Sequence, residues 1–281
     1  MPLPMRLKFE QLFNHWTILA LNIIIIVAIQ LNYMFFIRTG LIHLIAIIFV
    51  SLGLLRLIFR PQINDQFLKP LIHQGIISLI VLATSHIIEY ASYRYLGLPR
   101  QTIYANTINF YLSGLLLTIL GIEVFNHAYQ QAFNQTKISV SKLIVPISWI
   151  MIFLFAALTV LFLLRPQLVQ LNSNSYQMYA YLFAGTAIPL LGIWRLNFLK
   201  KHASLMTNFV NYFTAAFILV GICILASATE EVVIGIGVSS MQTAIIIHFL
   251  FYLALSVMFL AYQQLLHPGG SYEDLNEPQK S

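Results

Sequence analysis

Eight stretches of this chain, at about 16–36, 41–59, 70–92, 103–127, 142–164, 176–198, 208–228 and 241–265, are each apolar over some 20 residues. A helix needs about 20 such residues to cross roughly 30 Å of hydrocarbon. Within lipid only a helix or a closed barrel satisfies its own backbone. The expected fold is therefore all-α, a polytopic integral membrane bundle of about eight transmembrane helices. Composition agrees: 59% of the 281 residues are hydrophobic and 9% charged, where soluble domains hold about 45–50% and 25%. Residues 1–266 read as one transmembrane domain and 267–281 as a short polar tail. The net charge of +6 is spread over too few groups for a nucleic-acid surface. It bears on topology instead, and the lipid bilayer is the first partner.

Lysine and arginine in short loops orient such a bundle. One side collects Arg6, Lys8, Arg56, Arg60, Lys69, Lys137, Lys142, Arg195, Lys200, Lys201 and Lys280; the other collects Arg38, Arg94, Arg100 and Arg165. An even number of spans puts both termini on the richer side, which predicts cytoplasmic termini and, for a bacterial chain, the inner membrane. The first span reads as a retained signal anchor, since no small-residue cleavage site follows it. The connection at 229–240, with Gly235 and Gly237, reads either as a short loop or as a segment re-entering the membrane.

Prolines punctuate the spans. Arg60-Pro61 and Arg165-Pro166 each close one, because proline cannot continue the hydrogen-bond ladder. Pro70 and Pro146 fall in first turns, where the missing N–H is harmless. Pro189 lies mid-span beside Gly185 and Gly192, where a kink is expected.

Ionisable groups inside spans are rare and mark function by default. His86 and Glu89 are three apart on the third span, with Tyr93 continuing their face. On the fourth span Asn106, Asn109, Ser113, Leu116, Leu120, Glu123 and His127 form one stripe, polar at both ends and leucine in the middle. Such a stripe is expected to point into the bundle. Two polar layers are predicted. The outer holds His43, His86, Glu89, Asn106, Asn109, Glu230, Glu231 and His248; the inner holds Arg56, His73, Glu123, His127 and Arg195. Glu123 is expected to pair with Arg56 or Arg195. Glu230 and Glu231 read as ending the seventh span, in water beyond the helix.

Three chemistries compete for these residues. Haem ligation by His73 and His86 matches the membrane spacing, but thirteen steps of about 100° turn the two imidazoles some 140° apart. A divalent metal is suggested by His86-x-x-Glu89, with His43, His248 and Glu230 available to complete an oxygen- and nitrogen-rich set. The competing view has these residues wetted singly at helix ends. Finally, Glu89-Tyr90-Ala91-Ser92-Tyr93-Arg94 resembles the first motif of the CAAX-type intramembrane proteases, another fold of about eight spans. Tyr90 replaces that motif's second glutamate, and His248 is followed four places on by Tyr252 instead of the family's asparagine. The six-residue likeness therefore transfers no activity.

The expectation is a bundle, not leaning to enzyme chemistry, that binds and then senses or moves a small solute or proton. His86 with Glu89, and Glu123 with His127, would be its paired groups, with Asn106 and Asn109 lining the same interior. The alternatives are a haem- or metal-binding redox protein, and an input module or subunit serving a protein partner or a second copy of itself. The single cysteine, Cys223, rules out an intramolecular disulfide and reads as a small packing residue.

Overall fold

The computed structural model describes residue 24 and residues 68–133, 142–202, 207–237 and 240–266. The expected spans 16–36 and 41–59, His43, Arg56 and the tail 267–281 lie outside the described residues. The described chain forms long helices joined by short turns, with no strand among the described residues. The six long helices are α1 (Leu68–Ala91), α2 (Arg100–Phe133), α3 (Ile144–Leu164), α4 (Tyr176–His202), α5 (Thr207–Gly235) and α6 (Ser240–Leu266). All six are long and apolar enough to cross a membrane, which makes this an integral membrane protein. They coincide with the third to eighth expected spans.

Short connections between long helices force neighbours to run antiparallel, and the contacts agree. Along α1 and α2, Ser78 donates to the Gly114 carbonyl at 2.7 Å and shares a 2.8 Å hydrogen bond with Thr118. The α4–α5 seam pairs Gly185 with Ile224, Pro189 with Gly221 and Gly192 with Phe217, rising on one helix as it falls on the other. Alternation makes α2 and α4 parallel. Two of their links, Tyr181 to Asn109 and Arg195 to Glu123, have the same sequence separation of 72 residues.

Helix α2 is the hub. It packs against α1, α3, α4 and α5, and 89% of its span is buried against 22% for α3. The polar stripe from Asn106 to Glu123 does face the interior, but so does nearly every other side of this helix. Between its polar ends Leu112, Leu115, Leu116 and Ile119 belong to one buried apolar cluster with Leu79, Leu82, Phe217 and Leu255. Helix α3, by contrast, turns Ile147, Ile150, Phe153, Val160 and Leu161 outward, as a lipid-facing helix does.

The proline punctuation is visible. Helix α3 stops at Leu164 and a single 3-10 turn starts at Pro166. Ser175 then caps α4, accepting from the Met178 N–H at 3.1 Å. Helix α4 runs through Pro189 without a break.

Two expectations are corrected at the end of α5. The helix continues past the glutamates to Gly235, and Glu230 is buried at 1% exposure instead of standing in water. The next helix begins at Ser240, and Gly237 takes a positive φ of 98° in the turn between. The described residues of this connection thus form a tight turn, with Ile236 exposed.

In lipid, helices associate by close packing at small residues. At Gly192 a Cβ would stand 2.5 Å from the Phe217 ring, whose side chain is fully buried. Gly192→Ala is expected to destabilise the bundle by about 1–3 kcal/mol, read by denaturant titration in lipid or detergent. Adding Phe217→Leu is expected to recover part of the loss. A neutral single variant would show that the α4–α5 seam is looser than described.

Candidate functional site

At the end of the bundle where α1 finishes, four helices bring polar groups together. Helix α1 contributes Ser85, His86 and Glu89; a three-residue step on a helix places His86 and Glu89 side by side. The His86 Nδ1 lies 3.3 Å from Glu89 Oε2. From α6, His248 Nε2 lies 3.8 Å from the other carboxylate oxygen, Oε1. One carboxylate thus spans two imidazoles from different helices. Their ring centroids are 5.8 Å apart, and the three ligand-capable atoms all fall within 4.8 Å of one another.

The surroundings are aromatic. His86 is 2% exposed, with Phe251 edge-on at 4.4 Å and Tyr252 stacked at 5.7 Å. Tyr111 stacks on Phe251 at 4.8 Å. Beside Glu89 and His248 lies a cavity of about 10 Å³, lined also by Tyr104, Thr107, Tyr111, Ser227 and Ile247. That space is about the size of one water molecule. Glu230, on α5, is in electrostatic contact with the Tyr104 phenol, which also senses Glu89. Directly after Glu89, the chain leaves α1 through a π-helical turn, Ser92–Leu96, and a left-handed Gly97. Such wide turns favour functional sites, and this one closes the cluster's own helix.

The other end of α2 is built differently. Arg195 grips Glu123 with two parallel bonds, one from Nε to Oε1 and one of 2.9 Å from a terminal nitrogen to Oε2. Both side chains are almost wholly buried. The guanidinium also lies over the Trp194 and Phe198 rings at 5.0 and 5.2 Å. A permanently charged, bidentate partner suits a carboxylate that has no access to water.

The predicted residues therefore divide. His86, Glu89 and His248 meet, with Glu230 behind Tyr104. Glu123 is committed to Arg195, one of its two expected partners. The expected Glu123–His127 pair is not formed: Glu123 is taken by Arg195, and His127 is exposed beside the buried Phe125 and Asn126. His73 is likewise exposed, away from the cluster. Asn109 is buried but turned elsewhere: it accepts from the Tyr181 hydroxyl at 2.8 Å and donates to Thr159 at 3.2 Å. It ties α2 to α3 and α4. Asn106 is buried, and its amide makes no hydrogen bond among the described residues.

Tyr104, Thr107 and Tyr111 escaped the sequence reading. Their spacing of three and four is a helix face in its own right. Five steps separate Tyr104 from Asn109, turning them about 140° apart on α2, so only the tyrosine face looks at the cluster. Comparison with protein families, curated proteins and solved structures returns no match for this chain.

Leaving one half of a buried ion pair alone costs about 3–5 kcal/mol. Glu123→Gln and Arg195→Gln are each expected to lose stability on that scale, read as the unfolding midpoint in lipid or detergent. The double variant Glu123→Leu with Arg195→Leu is expected to be more stable than either. Additive losses would contradict the pairing.

Proposed function

We propose that this protein is a membrane-embedded receptor for a small cation, which it binds at the His86–Glu89–His248 cluster and then senses or moves. One observation carries the reading: a carboxylate and two imidazoles from separate helices converge beside a water-sized cavity in an otherwise aromatic interior. A carboxylate in such a setting is expensive unless a positive partner shares the site. Glu230 behind Tyr104 adds a second carboxylate, and Arg100 also acts on that phenol. The ligand that fits is cationic and about the size of the cavity.

The two ends of α2 then have separate tasks. Glu123 with Arg195 is a fixed internal clasp, and the leucine layer between the ends is a dry barrier. With eight spans and cytoplasmic termini, the arginine and lysine distribution puts the His–Glu cluster on the outer side of a bacterial inner membrane. A cation would enter from outside. Binding would pull α1 and α6 together, and that motion is what a partner or a transport cycle would read.

The test is a thermal-unfolding panel on purified protein at fixed pH, with Na⁺, K⁺, Mg²⁺, Ca²⁺, Co²⁺ and Zn²⁺ added singly. Binding to the folded state raises stability by about 2.7 kcal/mol at one hundred times Kd. At least one cation is expected to raise the Tm of the native protein and to leave Glu89→Gln unmoved. No shift with any cation, or an equal shift in Glu89→Gln, would remove the reading.

A further inference from the structure

The donor set at the cluster narrows the cation, an inference that rests on the cation-binding reading above. Sodium, magnesium and calcium are hard ions that prefer oxygen ligands; calcium takes about six to eight of them. Two imidazole nitrogens and one carboxylate suit the transition series instead. Three protein ligands with one open position is the pattern of an exchangeable or reactive zinc site, whereas structural zinc is closed by four.

The distances carry the point further. Ligands about 2.0–2.2 Å from a tetrahedral zinc ion stand roughly 3.3–3.6 Å from one another. The His86–Glu89 separation of 3.3 Å already has that value, and the His248–Glu89 separation of 3.8 Å is close to it. Those two separations are to different oxygens of Glu89; with one atom taken from each residue the three lie within 4.8 Å of one another, so tetrahedral ligation calls for a small rotation of these side chains.

A second observation is independent of the three ligands. The adjoining cavity has room for one water, which supplies the fourth ligand position. Ser227 lines that cavity, is 2% exposed, and its hydroxyl has no hydrogen-bond partner among the described residues. A buried hydroxyl left in that state points to a bound molecule next to it. A metal-bound water in the cavity gives it a partner, and the Tyr104 and Thr107 hydroxyls border the same space.

We infer that His86, Glu89 and His248 form a site for a divalent transition-metal cation of the zinc class, with a water in the Ser227-lined cavity as its exchangeable fourth ligand. His86 and Glu89 are fixed on one helix face, while His248 arrives from α6. The metal therefore bridges α1 and α6, the two helices whose approach the cation-binding reading invokes.

Cobalt titration of chelator-stripped, purified protein tests this directly. One equivalent of Co²⁺ is expected to bind, with the intense visible ligand-field bands of four-coordinate cobalt, and Zn²⁺ is expected to bleach them. Glu89→Gln and His248→Gln are each expected to weaken binding about tenfold or more, since even outer-shell changes act on that scale. His127→Asn, remote from the cluster, is expected to bind as the native protein does. Circular dichroism and a single symmetric elution peak verify folding of each variant. Should Glu89→Gln not fold, His248→Gln and the shorter carboxylate of Glu89→Asp read the same loss. Ser227→Ala is expected to retain one equivalent with altered band positions, since it touches only the water. Absent bands in the native protein, or bands that survive both ligand substitutions, would overturn the metal site. If Na⁺ or Ca²⁺ stabilises the protein and Co²⁺ and Zn²⁺ do not, the metal assignment fails and the cation-binding reading stands; if no cation stabilises it, both fail.

Discussion

A carboxylate inside a membrane protein must find its counter-charge within the protein, because the lipid around it offers none. That single constraint organises the described helices. Helix α2 is covered on nearly every side, and several of its polar groups are paired across the bundle. Glu123 takes Arg195, Asn109 takes Tyr181 and Thr159, and Thr118 takes Ser78. Each of these links joins α2 to a different neighbour or holds one in register. The parallel offset between α2 and α4 is set at two points along their length, which fixes their relative height as well as their contact.

The two ends solve the same problem with different chemistry. Arginine keeps its charge under all ordinary conditions, so Glu123 has a permanent counter-charge in Arg195. At the other end Glu89 faces imidazoles, which change their state and accept metals. A small cavity lies beside the Glu89 carboxylate. The layer between the ends is mainly apolar, with Ser78 and Thr118 hydrogen-bonded to each other inside it.

Much of this was legible in the sequence, for reasons of length and punctuation. Spans three to eight emerged where they stand because about 20 apolar residues and a following proline or turn leave few other choices. His86 and Glu89 were legible as a pair because neighbours on one helix need no knowledge of packing. His248 could be placed only at the right depth; its meeting with Glu89 depends on α6 running antiparallel beside α1. Depth without azimuth also misled. Asn109 was grouped with the cluster because it lies near that level, yet it faces α3 and α4. His127 was joined to Glu123 by its spacing of four, while the packing partner was 72 residues away. Glu230 looked like the end of a helix because charge normally marks the membrane surface, and only the bundle around it shows otherwise. Tyr104 and Tyr111 were overlooked because tyrosines in membrane spans resemble an interfacial belt.

The account stands on one carboxylate lying between two imidazoles of different helices. Rotational-echo double-resonance NMR measures this on protein in lipid, labelled with ¹³C at glutamate carboxyls and ¹⁵N at histidine rings. The predicted result is strong dephasing from nitrogen–carboxylate contacts like the 3.3 and 3.8 Å separations at Glu89, abolished by Glu89→Gln and halved by His248→Gln. A native sample without dephasing, or one whose signal ignores Glu89→Gln, would contradict it.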